Sequence, residues 1–285
     1  MAVLLVLCSA GVAQTTSQDA DTETCGAKHV KQCVADILHD QAGIWTSPFR
    51  LHSSDAMWLV PFAAATGVAI HYDSDALRQL GTNQHRQNIS EDISRFGSPE
   101  ATIGEGLGLY AIGTFSHNAK LAETGRLGAE AVADAALVTE VVKLATNRDR
   151  PNQGEMDAEF WPSGTKGYSA NGSFPSGHAT AAWALARVVG AEYHSFLPRL
   201  LAYGFATAVS VSRVTGRDHY PSDALVGSAI GFLTGGYVYH QHASQRENAF
   251  TIQPVMDVRT RTAGIQVSLP VSSLGRLPFA KRNSE

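Results

Sequence analysis

The segment 118–146 constrains the fold most, because it carries the longest helical pattern in the chain. Its apolar residues recur mostly at the spacing that places them along one face of a helix. These residues are Leu121, Leu127, Val132, Leu137, Val138, Val141, Val142 and Leu144. The pattern ends near Asn147, and Pro151 cannot continue a helix because it has no backbone N–H to donate.

Further apolar segments lie on both sides, and together they predict an all-α helical bundle with long loops. The glycine-rich segment 99–115 predicts a buried helix, whereas 72–95 predicts short amphipathic pieces on the surface. The segment 55–70 contains Pro61 and predicts either a kinked helix or a helix that begins at this proline. The remaining segments of the bundle cover residues 33–40, 177–193, 200–211 and 221–240.

The C-terminal part of the chain has a different pattern. Residues 250–258 and 263–269 partly alternate between apolar and polar, which predicts a β-hairpin tail. The apolar run 224–239 is shorter than the roughly 20 residues that span a bilayer, so it predicts a buried core helix. The predicted divisions are a signal peptide at 1–13, a polar and loop-rich region at 14–54, a helical domain at 55–247 and a tail at 248–285.

Composition narrows the class of protein. The chain has 285 residues, of which 44% are hydrophobic and 17% charged, with a formal net charge of -4. These values are typical of a globular protein with a substantial core, and they disfavour a nucleic-acid partner, which usually needs a basic surface. The mean hydropathy of -0.08 is low for a chain that crosses a membrane many times. Homo-oligomerisation is left open by the sequence.

The N-terminus is typical of a secretory signal. An apolar run is followed by small residues up to Ala13, which predicts cleavage there and an exported protein, either periplasmic or peripherally attached to a membrane. A lipoprotein signal at Cys8 is disfavoured because bulky Leu7 precedes the cysteine. Cys25 and Cys33 would remain, and in an exported protein they favour a local disulfide, with two free thiols as the alternative.

The stretch 212–223 holds an arginine, a histidine and an aspartate at fixed offsets: Arg213, His219 and Asp223. Pro221 suits the first position of a helix, which places Asp223 in the first turn and His219 just before it. A carboxylate that accepts from one imidazole nitrogen leaves the other free as a base or nucleophile. His219 is expected at a helix end rather than in the core. Taken alone, the stretch could equally be a capped helix start with a surface histidine.

Two other clusters also lie at predicted helix ends. One contains Lys143 and Arg150, and the other is Pro-Ser-Gly-His, with Ser176, Gly177 and His178. Arginine meets a phosphate with a planar fork of donors, and lysine adds a point charge. The backbone N–H groups of a helix N-terminus bind a further anionic oxygen. The combined inventory therefore fits phosphoryl transfer.

The three clusters read Lys-x6-Arg-Pro, Pro-Ser-Gly-His and Ser-Arg-x5-His-x3-Asp. This signature resembles that of the type 2 phosphatidic acid phosphatase (PAP2) superfamily, whose fold is shared with vanadium haloperoxidases. The resemblance implies that His219 attacks phosphorus, that Asp223 orients it, and that His178 protonates the leaving oxygen and then activates water. It also implies that the phosphate is held without a metal or other cofactor. The implied phosphate ligands are Lys143, Arg150, Ser176, Gly177 and Arg213.

Each residue also has an ordinary structural interpretation. Lys143 could be a solvated charge at a helix end, Arg150 a loop ion pair, Ser176 an N-cap and His178 a buried structural histidine. Four residues between motif positions could shape the rim of the pocket, but an ordinary surface position is favoured for them: Arg148, Asp149, Arg217 and Asp218. The remaining histidines lack metal-ligand spacing and are predicted to be structural or surface residues. They are His29, His39, His52, His71, His85, His117, His194, His240 and His242.

The resemblance favours an exported, metal-independent phosphomonoesterase. The His-Tyr-Pro-Ser-Asp form of the third motif is similar to the lipid-phosphatase branch, with a lipid phosphate at a membrane surface as substrate. The polar, exported chain is similar to soluble bacterial acid phosphatases. Two alternatives are a vanadium-dependent haloperoxidase and a non-catalytic helical envelope protein. The chloroperoxidases carry bulky aromatics between the lysine and the Arg-Pro, and residues 144–149 contain none.

Overall fold

A computed structural model describes residues 30–152, 157–161, 172–247, 251–257 and 262–268. The predicted signal peptide at 1–13 lies outside these residues. Within them, the body is all-α, as predicted, and two 3₁₀ turns, Ser47–Arg50 and Ser53–Asp55, link the first two helices. The helices are α1 Val30–Thr46, α2 Ala56–Leu80, α3 Gln84–Phe96, α4 Pro99–Phe115, α5 Ala119–Thr146, α6 Gly177–Glu192, α7 Phe196–Thr215 and α8 Pro221–Glu247.

The predicted β-hairpin is present. Strand β1, Thr251–Asp257, pairs in antiparallel register with β2, Thr262–Ser268. The predicted segment 250–258 extends one residue beyond β1 at each end, and the predicted segment 263–269 is shifted by one residue from β2, because alternation alone does not fix strand ends.

Helices α4 and α5 lie close to their predicted bounds and have side-chain caps at their N-termini, and α6 ends one residue before its predicted end at 193. The Asn118 side chain caps α5 by accepting a hydrogen bond of 3.0 Å from the backbone N–H of Leu121. The same helix ends at Asn147, whose φ of 40° and ψ of 48° lie in the left-handed region that asparagine tolerates. The site residues that follow α5 therefore start from a defined helix end.

The N-terminal half differs from the prediction. Helix α1 covers Val30–Thr46 rather than 33–40, so the region 14–54 is not merely polar loop. The segment 72–95 is not a set of short surface pieces, because α2 continues through Pro61 as far as Leu80 and α3 follows. Asp73 and Leu77 are fully buried in the second half of α2. Contacts of these two residues with other parts of the bundle stabilise the helix although its local sequence is polar. The pattern within one helix cannot reveal such contacts.

The core forms where α5, α6 and α8 pack together. Glycines allow the closest approach: a Cβ on Gly231 of α8 would lie 2.1 Å from the carbonyl oxygen of Thr180 on α6. This packing places the N-termini of α6 and α8 side by side, and Ser176 N–H donates to the Asp223 carbonyl at 3.0 Å. The principal buried cluster contains Leu127, Ala131, Val132, Ala135, Ala181, Ala184, Leu185, Val188 and Val238.

Several helices expose large apolar side chains. On α2 these include Met57, Trp58 and Val60, and on α7 they include Phe196 and Leu201. The segment Ser53–Leu80 is long and apolar enough to cross a membrane by length and composition, and none of its apolar window is buried. Exposed apolar surface of this extent usually marks a contact with a partner or a membrane.

Candidate active site

The three sequence motifs meet at one end of the bundle, where α5 ends and α6 and α8 begin. His178, in the first turn of α6, is the clearest marker of this convergence. Four groups from the other motifs lie close enough to affect its ionisation electrostatically. These groups are Lys143, Arg150, Arg213 and His219. The site predicted from sequence is thus assembled in space, including residues from all three motifs.

The orientation of His219 is fixed mainly by a backbone carbonyl. Its Nδ1 lies 2.7 Å from the carbonyl oxygen of Ser173 and 3.5 Å from Oδ2 of Asp223. A carbonyl oxygen can only accept, so Nδ1 carries the proton and Nε2 keeps its lone pair. The nearer orienting partner is therefore Ser173 rather than Asp223. The expected position outside the core is also wrong, because the His219 residue is 1% exposed.

The carboxylate of Asp223 is fully buried and surrounded by donors. Its Oδ2 accepts from the backbone N–H of Tyr220 at 2.8 Å and from the Ser173 hydroxyl. Its Oδ1 lies 2.6 Å from Nη1 of Arg148. A carboxylate held by a cation and several donors keeps its charge even when buried. Asp223 therefore supplies a fixed negative charge close to the His219 ring.

Arg148 is one of the most buried residues of the site, at 1% exposed, so its predicted surface position is wrong. Its guanidinium bridges two carboxylates, with Nη1 on Asp223 and Nη2 2.7 Å from Oδ2 of Asp73. The same group lies between two rings, 4.6 Å from the centroid of Phe160 and 4.4 Å from that of Tyr220. Arginine suits this position because it forms planar bidentate pairs and stacks on aromatics.

The start of α6 forms a cradle for an anion. The Ser176 hydroxyl is buried without a hydrogen-bond partner, and it does not cap the helix. The predicted alternative, in which Ser176 serves only as an N-cap, is therefore wrong. A Cβ added to Gly177 would lie 3.4 Å from Nζ of Lys143, so the lysine reaches the helix start. A buried hydroxyl, a helix N-terminus and a cation at one point match the needs of a phosphate oxygen.

Lys143 and Arg213 approach the cradle from different helices, and both side chains are buried. Lys143 Nζ donates to Oε1 of Glu140 at 2.7 Å, so it is not a simple solvated charge. Arg213 pairs with Asp218, with Nη2 3.0 Å from Oδ2, and its Nη1 donates to the Ser94 hydroxyl. Its Nε is buried without a hydrogen-bond partner, which leaves a donor at the site.

Residues 127–247, which contain all three motifs, match the PAP2 superfamily. This region of the chain belongs to the PAP2 superfamily.

Among curated relatives, the PAP2 region is similar to two proteins named lipid A 1-phosphatase. The one from Porphyromonas gingivalis is 33% identical over 106 residues, which cover 36% of this chain and 23% of that protein. The one from Rhizobium johnstonii is 29% identical over 163 residues, which cover 51% of this chain and 63% of that protein. The chain thus spans less than two thirds of the length of each of these relatives.

Two solved PAP2-type structures are also similar. One is the transmembrane PAP2 type phosphatidylglycerolphosphate phosphatase from Bacillus subtilis, at 19% identity and a TM-score of 0.45, covering 75% of this chain and 95% of that one. The other is LpxE from Aquifex aeolicus, at 16% identity and a TM-score of 0.45, covering 59% of this chain and 94% of that one.

The two histidines of the PAP2 site are both driven towards the neutral form. Burial and the nearby charges of Arg213, His219, Arg150 and Lys143 lower the pKa of His178 from 6.5 to about 3. Burial also lowers the pKa of His219, and it outweighs the opposing effect of Asp223. Both rings are therefore neutral rather than positively charged at neutral pH in this environment.

Some residues around the PAP2 motifs could not be found from local patterns. Ser173 lies in the long loop 152–174, and Asp73 lies on α2 far ahead of the motifs. Arg217 was predicted to lie on the surface but is buried, and its Nη1 donates to the carbonyl oxygens of Leu77 and Gly81 at 2.9 Å each. Of the four residues between motif positions, Asp149 is exposed, as predicted.

Proposed function

We propose that this PAP2 protein is a phosphatase that hydrolyses a lipid phosphomonoester through a phosphohistidine intermediate on His219. The observation that carries the proposal is the 2.7 Å contact between His219 Nδ1 and the Ser173 carbonyl. This contact leaves Nε2 with a lone pair beside the phosphate-binding cations. A histidine held in this way is suited to act as a nucleophile.

In the first step, Nε2 of His219 attacks phosphorus and the bond from phosphorus to the leaving alkoxide oxygen breaks. His178, which is protonated once the phosphate dianion is bound, donates that proton to the leaving oxygen. In the second step, water attacks the phosphohistidine while His178 accepts a proton from the water, and the bond from phosphorus to nitrogen breaks. Inorganic phosphate is released, and both histidines return to their starting states.

The cations stabilise the charge that develops on the phosphoryl oxygens. Lys143, Arg150 and Arg213 approach from three different segments, so they surround a phosphate rather than pair with one oxygen. The Ser176 hydroxyl and the N–H of Gly177 complete the cradle. Asp223 stabilises positive charge on the His219 ring as the phosphohistidine forms, and Arg148 holds Asp223 in place.

A lipid substrate is favoured by two observations. The helices α2 and α7 expose large apolar side chains, which would contact a lipid surface. The curated relatives, which are similar to this chain over 106 and 163 residues, are named lipid A 1-phosphatase. We therefore infer that the protein acts at a membrane surface, and that export, as the N-terminal sequence predicts, brings it there.

The direct test is a phosphate-release screen on the full chain. Lipid A, phosphatidylglycerol phosphate and phosphatidic acid would be compared with p-nitrophenyl phosphate, with and without detergent. We expect release from at least one lipid to exceed release from the soluble ester by about 10-fold or more, because remote apolar contacts assist the reaction. Equal rates in all cases would overturn the lipid assignment, and no release from any ester would overturn the phosphatase.

Inhibitors separate the phosphatase from the haloperoxidase alternative. We expect vanadate to inhibit, because its trigonal-bipyramidal adduct on His219 resembles the transition state. EDTA should leave the rate unchanged, because all proposed phosphate ligands are cations or neutral donors. Phosphate release should occur without vanadate, and the vanadate-loaded protein should show at most trace bromide oxidation. Efficient bromide oxidation with no phosphate release would reverse the assignment.

Aromatic packing, which bears on the haloperoxidase alternative, does occur near the site. Residues 144–149 contain no aromatic, but Phe160 from the following loop packs on Arg148, with the guanidinium 4.6 Å from the ring centroid. Aromatic packing near the site is thus present, although it covers the arginine between two carboxylates. The inhibitor test therefore distinguishes a phosphatase from a haloperoxidase better than the absence of aromatic residues at 144–149 does.

The pKa of His178 predicts proton uptake when an oxyanion binds. Nearby cations and burial lower this pKa to about 3, so a bound dianion should raise it again by offsetting the positive charge. Binding of sulfate, which does not titrate near neutral pH, should take up as much as one proton per site at pH 5–6. The uptake should shrink as pH rises above the pKa of the complex.

Calorimetry of sulfate binding in two buffers with different ionisation enthalpies measures this uptake. The His178→Asn variant is the matched control, because it removes the titrating ring and keeps a polar side chain. An uptake that is absent in the wild type, or equal in the variant, would contradict the assignment of His178 as the proton donor.

A further inference from the structure

A second buried polar cluster lies at the opposite end of α8 from the PAP2 site. It brings together Asp40 of α1, Glu130 of α5 and His242 of α8, all buried. One ligand atom from each residue lies within 4.8 Å of the others. His242 follows Pro221 by nearly the whole length of α8, so at 1.5 Å per residue the cluster is roughly 30 Å from the start of that helix. It is therefore separate from the phosphate chemistry.

The distances in this cluster are longer than those of a tight ion pair. Nε2 of His242 lies 3.1 Å from Oε1 of Glu130 and 3.4 Å from Oδ2 of Asp40. One N–H can point at only one acceptor, and charge-assisted hydrogen bonds are usually about 2.7–2.9 Å. The Glu130 Oε1 atom, although close, makes no hydrogen bond of acceptable geometry. His242 can pair with both carboxylates when it is protonated, but neither distance is that of a single short charge-assisted hydrogen bond.

The same distances fit the edges of a metal coordination polyhedron. Zinc binds imidazole nitrogen and carboxylate oxygen at about 2.0–2.2 Å, so tetrahedral ligand atoms lie roughly 3.3–3.6 Å apart. The two contacts of His242 Nε2 lie close to this range. If His242 is neutral with a lone pair on Nε2, that nitrogen can bind the ion directly. A single N–H then no longer has to serve two carboxylates.

Unpartnered buried oxygens point to the same conclusion. Oδ1 of Asp40 and Oδ2 of Asp134 are buried and make no hydrogen bond. Asp134 follows Glu130 by one turn on the same face of α5, and its other oxygen accepts from Gln41 of α1 at 2.8 Å. An unsatisfied buried carboxylate oxygen is costly, and a bound cation is the usual way to satisfy several at once.

Charge balance also favours a cation. Three carboxylates face the cluster: Asp40, Glu130 and Asp134. Arg126 pairs with Glu130 through the other oxygen, with Nη1 3.0 Å from Oε2, and it is shared with Glu123. Among the residues that the structure describes, the positive groups around the cluster include Arg126, Arg50 and, when it is protonated, His242. A divalent ion would supply the remaining positive charge.

We propose that Asp40, Glu130 and His242 form a binding site for one divalent transition-metal ion, with water completing the coordination. The mixed nitrogen and oxygen ligands suit Zn²⁺ best, with Mn²⁺ as the next choice. The ion would join α1 to α5 and α8 and so act as a structural clamp. The spacing of residues in the sequence does not reveal this cluster, because three separate helices supply its members.

The test uses the full chain, stripped with a chelator and then titrated with Zn²⁺, Mn²⁺, Mg²⁺ or Ca²⁺. We expect about one Zn²⁺ per chain by elemental analysis, and a rise in Tm of several degrees, since binding to the native state alone stabilises it. The variants Asp40→Asn and His242→Gln should lose at least about 10-fold in Zn²⁺ affinity and most of the Tm shift. The matched control is His240→Ala, an exposed histidine on the same helix, which should behave like the wild type.

If the ligand variants do not fold, spectroscopy of the wild type decides. X-ray absorption at the zinc edge should show nitrogen and oxygen ligands without sulfur, and Co²⁺ should give the visible bands of a low-coordinate site. The proposal is overturned if Zn²⁺ and Mn²⁺ neither bind stoichiometrically nor shift the Tm. It is also overturned if the variants bind as the wild type does. Phosphate release at temperatures where the stripped protein stays folded should not change.

Discussion

Replacing His219 with asparagine is expected to lower the rate of phosphate release by at least about 10³-fold, because the attacking nitrogen is removed. Asparagine is the sharpest choice, since its amide N–H can still donate to the Ser173 carbonyl that holds the ring in the wild type. His219 is buried, so alanine would also leave a cavity and confuse loss of chemistry with loss of fold.

The control for this variant is His71→Asn, since His71 is an exposed histidine on α2. It should release phosphate at the wild-type rate. Circular dichroism and Tm show whether each variant is folded. If folded His219→Asn protein released phosphate within a few-fold of the wild type, His219 would not be the nucleophile.

Replacing Arg148 with methionine is expected to lower the free energy of unfolding by about 3–5 kcal/mol, because it leaves two buried carboxylates uncompensated. The guanidinium is within 2.7 Å of Asp73 and 2.6 Å of Asp223, and all three side chains are fully buried. Methionine is flexible and close to arginine in length, so it can fill much of the same space. The loss of stability should therefore come mainly from the missing charge rather than from lost packing. The measurement is equilibrium unfolding in urea.

Arg95→Met is the matched control. Arg95 also contacts two carboxylates, but its side chain is 69% exposed, so solvent screens these pairs and their loss should change stability little. The double variant Asp73→Asn with Arg148→Met should recover part of the loss, because one of the two buried charges is then neutral. An Arg148→Met protein as stable as Arg95→Met would contradict the proposed role of the buried bridge.

The catalytic end of the molecule could be predicted well because its residues are close together in sequence within each motif. Pro221 does begin α8, Asp223 lies in its first turn, and the three motifs do meet. The spacing of a helix start and the residue types that bind phosphate are local properties. These local properties do not depend on how distant segments pack, so they can be predicted from a single sequence.

The parts that could not be predicted depend on contacts between distant segments. Nothing near Asp73 marks it as a partner for Arg148, which lies 75 residues further on. The carbonyl of Ser173 carries no sequence signal, because every residue has one. The cluster of Asp40, Glu130 and His242 likewise arises only when α1, α5 and α8 pack. Surface position was assumed for charged residues, and buried ion pairs are the exception to that rule.

The most direct test of the central claim is to trap the intermediate. The protein would be mixed with a ³²P-labelled lipid phosphomonoester and quenched in alkali within milliseconds, since phosphohistidine survives base better than acid. The account predicts labelled protein, with the label on the peptide that contains His219 and absent from His219→Asn. Phosphate release without any labelled protein at any quench time, or label on a different residue, would contradict it.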